Sequence, residues 1–154
     1  MTQSHVGTAL SGASIGQAYI FRHPTCYAYI TQGTWGDIYN ANYPHYALVY
    51  NSSNTQNDRI DYAFWLTRGT YSLNALGTTL AAGGISYIYL DDTYIEEYQD
   101  WYSAGTVWGV IKTTTGITVA KSGRHIISFK VAQQHPSSSG YYLYIHSLAM
   151  WRAS

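Results

Sequence analysis

Hydrophobic and polar side chains alternate with a period of two along most of the chain. Ile60, Tyr62, Phe64 and Leu66 stand in one phase, and Asp61, Ala63 and Trp65 in the other. Tyr71, Leu73 and Ala75 continue the pattern beyond the Arg68-Gly69 turn. His125, Ile127, Phe129 and Val131 alternate with Ile126, Ser128 and Lys130, and Tyr142, Tyr144 and His146 with Leu143, Ile145 and Ser147. Successive side chains of an extended strand point to opposite faces, so each run predicts a strand with one buried and one open face. β-branched and aromatic residues dominate these runs, and Gly83-Gly84, Asp91-Asp92, Ser122-Gly123 and Ser137-Ser138-Ser139-Gly140 supply the turns between them. Only Ile95 to Tyr102 offers room for a turn of helix.

The pattern predicts roughly eight to ten strands and an all-β fold, an antiparallel two-sheet sandwich of the jelly-roll type, in a single domain over residues 18–154. Residues 1–17 break the pattern. They are small and polar, with Gly7, Gly12 and Gly16 spread among them. Their only bulky apolar residues, Val6, Leu10 and Ile15, cannot offset the roughly 1–2 kcal/mol per residue that ordering a backbone costs. The expectation is an extended N-terminal arm, mobile in the free protein and anchored on a partner through Val6, Leu10 and Ile15.

Composition narrows the functional classes. Only 10% of the 154 residues are charged, while 17 are tyrosine and five tryptophan. Tyrosine combines a flat apolar ring with a hydroxyl at little entropic cost, which suits adhesive surfaces. The net charge is zero and no basic run occurs, so the electrostatic footprint of a nucleic-acid binder is missing. No apolar run is long enough for a membrane helix, and no signal peptide is readable at the N-terminus. The lone Cys26 excludes an intrachain disulfide and CxxC-type zinc sites, and its aromatic surroundings suggest a buried, inert thiol.

Catalytic and metal signals are sparse. Asp91, Asp92, Glu96, Glu97 and Asp100 place five of the eight acidic residues within ten positions. They lack the order of a calcium loop, and a turn with a solvated strand face accounts for them, so neither metal nor cofactor is expected. Carboxylates clustered in one segment do not suggest a pair facing across a glycosidase cleft. No G-x-S-x-G elbow and no HExxH pattern occur, and His125 and His146 fall on strands, where a hydrogen-bonded packing role is expected. The expectation is a protein that is not an enzyme. The aromatic segment Tyr98 to Trp108 is the foremost binding candidate: Trp101, Tyr102 and Trp108 form either an exposed platform or a closing edge of the core. Trp35, with Tyr39 and Tyr43, is the second candidate.

The region from about Tyr50 to Arg152 resembles modules from virion surface proteins of tailed bacteriophages, including tail-fibre ends and capsid decoration or head-fibre proteins. The pieces that carry the resemblance are Tyr50-Asn51-Ser52-Ser53 with Gln56-Asn57-Asp58, Gly69-Thr70-Tyr71-Ser72-Leu73, Tyr89-Leu90-Asp91-Asp92 and Asp100-Trp101-Tyr102-Ser103. Gly116-Ile117-Thr118-Val119, Ser122-Gly123-Arg124-His125 and Ser137-Ser138-Ser139-Gly140-Tyr141-Tyr142 complete the set. The same pieces are similar, more distantly, to galactose-binding-like carbohydrate-binding modules. The first resemblance implies a non-enzymatic structural protein on the virion surface, a capsid decoration protein or short fibre that contacts other virion proteins. Low charge, tyrosine-rich faces and the arm add the expectation of a homo-oligomer, a trimer. The alternative is a carbohydrate- or receptor-binding module, with Trp101, Tyr102, Trp108 and Trp35 presented to a host-surface glycan.

Overall fold

The computed structural model describes residues 19–39 and 47–153. The arm and its proposed anchors Val6, Leu10 and Ile15 lie outside the described residues, as does Tyr43. Eleven strands are described: β1 (Tyr19–Arg22), β2 (Tyr29–Gln32), β3 (Trp35–Tyr39), β4 (Ala47–Asn51), β5 (Arg59–Leu66), β6 (Gly69–Thr79), β7 (Gly84–Leu90), β8 (Thr93–Asp100), β9 (Val107–Val119), β10 (Gly123–Gln134) and β11 (Tyr144–Arg152). One sheet runs β3-β4-β11-β6-β9, with β1 also paired to β11. The other runs β2-β5-β10-β7-β8. Neighbours within each sheet are antiparallel. The all-β sandwich expected from the alternation is the fold found.

The core is the inward phase of the alternating runs. Ile60, Tyr62, Phe64 and Leu66 from β5, Ile127, Phe129 and Val131 from β10, and Ile88 from β7 face Tyr71, Leu73 and Ala75 from β6, Ile117 and Val119 from β9, and Ile145, Leu148 and Met150 from β11. Removing these side chains from water is the main favourable term in the fold. Tyr62 meets Phe129 edge to face at 6.3 Å between centroids, and its hydroxyl donates to the Pro24 carbonyl at 2.7 Å. Burial then pushes its ionisation far above the usual tyrosine range, so it stays neutral.

Trp101 is also core. It is 0% exposed, and its indole N–H donates to Ser86 Oγ at 3.1 Å. Gly77 and Gly83 make room for it: a Cβ on Gly77 would stand 2.4 Å from the indole ring, and one on Gly83 2.0 Å from the Trp101 carbonyl oxygen. This overturns Trp101 as an exposed platform. The ring finds its apolar surroundings between the sheets at the end of β8, where Leu80 N–H bonds the Trp101 carbonyl. The Ile95 to Tyr102 stretch forms no helical turn. Tyr94 and Tyr98 face Tyr89 and Tyr87 across the β7–β8 ladder, and that pairing draws the segment into a strand. Cys26 is exposed, in the turn between β1 and β2, and not buried.

Some polar groups are as deeply placed as the core, a carboxylate among them. Asp58 is fully buried. Its Oδ2 accepts from Asn51 Nδ2 at 2.8 Å, Ser53 Oγ at 2.8 Å and Thr55 N–H at 3.0 Å, and its Oδ1 from Thr55 Oγ1 at 2.9 Å. Asn51 also donates to the Tyr141 carbonyl at 2.9 Å and accepts from Leu143 N–H at 2.7 Å. Gly33 passes so close that a Cβ there would lie 2.0 Å from Asp58 Oδ1. The β2–β3, β4–β5 and β10–β11 connections, each crossing from one sheet to the other, therefore meet at this carboxylate.

Asp58→Ala strands the buried Asn51 amide and removes the partner of the part-buried Thr55 N–H. A buried donor left without a partner costs about 1–3 kcal/mol. The expected loss is on the order of 3 kcal/mol in urea unfolding followed by tryptophan fluorescence. A loss below about 1 kcal/mol, the size of an ordinary substitution, would contradict the assignment.

Candidate functional site

The outward phase of the five-stranded sheet carries rings where a solvent face usually carries charges. Strand register aligns Tyr29 (β2), Asp61 (β5), Ser128 (β10), Tyr89 (β7) and Tyr94 (β8) in one row across the sheet. The next row holds Arg59, Lys130, Tyr87 and Tyr98. Strands lie ~4.8 Å apart, so the first row reaches roughly 19 Å and the second roughly 14 Å across the sheet. Beyond the rows, Trp65 pairs with Arg124 and is 71% exposed. Tyr98 is 62% and Tyr29 53% exposed. A large ring left this open gains nothing from the fold itself.

The rings are held in place. Tyr87 and Tyr94 stack at 4.8 Å with planes 19° apart, and Tyr89 leans on Tyr94 at 5.6 Å. Gln133 donates from its amide to the Tyr87 hydroxyl. At the far end of the row the Arg124 guanidinium lies over the Tyr29 ring at 5.8 Å.

Between the two aromatic ends lies a polar floor. Arg59 donates from Nε to Asp61 Oδ1 at 2.8 Å, and from an Nη to Asp92 Oδ1 at 2.5 Å and Ser128 Oγ at 2.8 Å. Thr31 Oγ1 donates to Asp61 Oδ2 at 2.5 Å. Burial alone would lower the Arg59 pKa, but the bonds and charges of Asp61 and Asp92 raise it, so the guanidinium stays cationic. A hollow of about 340 Å³ opens above this cluster, walled by Tyr29 and Asp92.

A second clasp fixes Asp92 in position. Asp91 and Asp92 form the two-residue β7–β8 turn with φ of 48° and 65°, the left-handed pair that a tight hairpin needs and aspartate tolerates. Asp91 Oδ1 accepts from Ile126 N–H at 2.8 Å, and Oδ2 meets His125 Nδ1 at 2.6 Å. His125 Nε2 meets the Lys121 carbonyl at 2.7 Å, which ties the β7–β8 turn to the β9–β10 turn.

The residues singled out from sequence do not share a surface. Trp101 is in the core. Tyr102 is half-buried and stacks on His135 at 4.2 Å with planes 2° apart. Trp108 (β9) and Trp35 (β3) are half-buried at opposite edges of the other sheet. Trp108 stands edge-on to His146 at 6.0 Å, and Trp35 donates its indole N–H to the Gln32 carbonyl at 3.0 Å. The acidic run is divided too. Asp91 serves His125, Asp92 serves Arg59, and Asp100 accepts from Tyr102 N–H at 2.9 Å. Among the described residues no three acidic, histidine or cysteine side chains converge as a metal site. Trp65, Tyr87, Tyr89 and Tyr29 escaped the sequence reading. Their signal was an aromatic ring on the polar phase of an alternating strand.

No protein-family model matches the chain, and no curated protein matches it. Solved structures do. The chain is similar to the CBM36-1 domain of a multidomain xylanase from the hindgut metagenome of Trinervitermes trinervoides, at 12% identity and a TM-score of 0.68 over 89% of this chain and 99% of that one. It is similar to a CBM36 carbohydrate-binding module in complex with calcium and xylotriose, at 12% identity and a TM-score of 0.61 over 86% and 98%. It is also similar to a family 6 carbohydrate-binding module from Clostridium cellulolyticum in complex with xylose, at 17% identity and a TM-score of 0.60 over 84% and 95%. At these identities the likeness establishes the fold: the chain has the β-sandwich of carbohydrate-binding modules.

The two strand histidines respond to pH in opposite senses. For His125, burial works to lower the pKa, but the Asp91 hydrogen bond, the Lys121 carbonyl and the Asp91 charge raise it above 6.5. Its stabilising contribution is therefore complete below 6.5 and lost as pH rises through the higher folded value. Burial pushes His146 down to about 4, so its contribution is present above 6.5 and lost as pH falls through that value. In thermal melts across this range, His125→Gln should flatten the alkaline limb of the stability curve and His146→Gln the acid limb. A His125→Gln curve parallel to wild type would refute the clasp.

Proposed function

We propose that this chain is a non-catalytic carbohydrate-binding module that holds an extended glycan across the outer face of the β2-β5-β10-β7-β8 sheet. One observation carries the reading: two rows of rings, with the open Trp65 beside them, flank a floor of hydrogen-bonding groups. A sugar presents apolar C–H faces and a rim of hydroxyls. The rings of Tyr89, Tyr94, Tyr98 and Trp65 suit the first, and Arg59, Asp92 and Lys130 the second, with the buried Asp61 and Ser128 holding Arg59 from beneath. The preorganised salt-bridged floor loses little freedom on binding, which favours affinity. The similarity in fold to modules crystallised with xylose and xylotriose supports the reading.

The floor also argues against hydrolysis. Glycoside cleavage needs one carboxyl that can donate a proton and a second that acts as base or nucleophile. Asp61 and Asp92 are both held by the Arg59 guanidinium. Both carboxylates are thus engaged by one guanidinium, an arrangement that holds Arg59 in place and does not set two acids across a cleft. Presentation on a virion surface and contact with other virion proteins rest on the sequence resemblance, and trimeric assembly on low charge, tyrosine-rich faces and the arm; all take second place.

Calorimetric titration with a panel of neutral oligosaccharides, xylotriose among them, tests the proposal. Tyr89→Ala, Tyr94→Ala and Trp65→Ala should each weaken binding about tenfold, or ~1.4 kcal/mol. Trp35→Ala and Trp108→Ala should bind as wild type. If the face variants keep full affinity, or no glycan on the panel binds, the proposal fails.

A further inference from the structure

A larger cleft, of about 600 Å³, opens at the end of the sandwich where the β7–β8 turn meets the β9–β10 turn. Ligand sites commonly enclose about 300–1,000 Å³. Leu90, Tyr94 and Ile95 form its apolar wall, Thr118 stands opposite, and Lys121 and His125 bring charge to it. Tyr94 belongs to both sites. Its ring stacks on Tyr87 in the tyrosine rows and also lines the cleft, so a chain lying on the sheet face can continue into the cleft.

The charge of the cleft follows from hydrogen-bond geometry. His125 Nδ1 faces a carboxylate oxygen at 2.6 Å, and Nε2 faces a carbonyl oxygen at 2.7 Å. A neutral imidazole has one N–H and one lone pair, so it would set that lone pair against an oxygen. The doubly protonated ring donates to both. Asp91 is then spent, with one oxygen on His125 and the other on Ile126 N–H. The Lys121 ammonium has no hydrogen-bond or ion-pair partner among the described residues. Among the described lining residues two cations therefore face one carboxylate, and the unspent charge is that of Lys121.

We propose that this cleft is a second binding site, which takes the carboxylate of an acidic sugar on Lys121 while Tyr94 and Ile95 pack against the sugar ring. The proposal rests on the glycan-binding reading above and adds the class of sugar. A uronate pairs its charge with the ammonium, and a neutral sugar leaves that ammonium to water. Pairing at an open site is screened by salt, so the preference should shrink at high ionic strength.

The test compares an oligogalacturonide with its carboxyl-reduced, neutral counterpart by calorimetry, on wild type and on Lys121→Gln. Wild type should bind the acidic form severalfold to tenfold more tightly at low salt. Lys121→Gln should erase that gap and leave the neutral affinity unchanged. In a parallel titration of isotopically labelled protein, the Lys121 side chain and the His125 ring should shift with the acidic ligand and stay still with the neutral one. Equal affinity of wild type for both ligands overturns the proposal and leaves the sheet-face reading standing. A preference that survives in Lys121→Gln does the same. Failure of both ligands and of the whole neutral panel overturns both readings.

Discussion

The buried carboxylate of Asp58 is the constraint on which the rest of the molecule depends. The core packs the two sheets together, but apolar packing does not by itself fix the conformation of the connections between them. The three connections that cross between them at this end, β2–β3, β4–β5 and β10–β11, are gathered by Asp58 and its partner Asn51. Each donor and acceptor of the Asn51 amide has a partner, and three side chains and a backbone N–H satisfy Asp58. Such a network costs desolvation, and in return it admits one arrangement of the loops. Asp58 immediately precedes Arg59, and Gly33 immediately follows β2. The node thereby sets where β5 begins and β2 ends, and so where Arg59, Asp61, Thr31 and Tyr29 stand on the sheet face.

Each alternating strand then serves two purposes at once. In β5 the phase of Ile60, Tyr62, Phe64 and Leu66 makes the core, and the phase of Arg59, Asp61 and Trp65 makes the face. A one-residue slip would exchange them, so the core that fixes the register also aims the site. This coupling gives a rigid floor built on strands, to which the β7–β8 turn adds Asp92. Arg59 is held by two carboxylates and a hydroxyl, and the tyrosines of β7 and β8 hold one another.

Much of the fold was legible in the residues, because a period of two has one physical meaning. The β5, β6 and β10 runs read directly, as did the Asp91-Asp92 turn. The site was less legible. Tryptophans attract notice, yet Trp101 is the largest fully buried side chain among the described residues and Trp108 packs edge-on to a buried histidine. Whether a ring faces in or out depends on its phase relative to its neighbours. Trp65 was already visible in the polar phase of β5, and Tyr87 and Tyr89 alternate with Ser86 and Ile88 in the same way. The partners of Arg59 were not legible, because Asp92 is 33 positions away and only the β5-β10-β7 order brings the two together.

The most direct test of the account is to map a bound glycan ring by ring. Aromatic carbon–proton spectra of the labelled protein, recorded during titration with a binding oligosaccharide, report each tyrosine and tryptophan separately. The account predicts shifts at Tyr29, Tyr87, Tyr89, Tyr94, Tyr98 and Trp65, with Trp101 and Trp108 unmoved. Shifts confined to the opposite sheet, at Trp108, Tyr50 and Tyr144, with the Tyr87–Tyr94 stack silent, would contradict it.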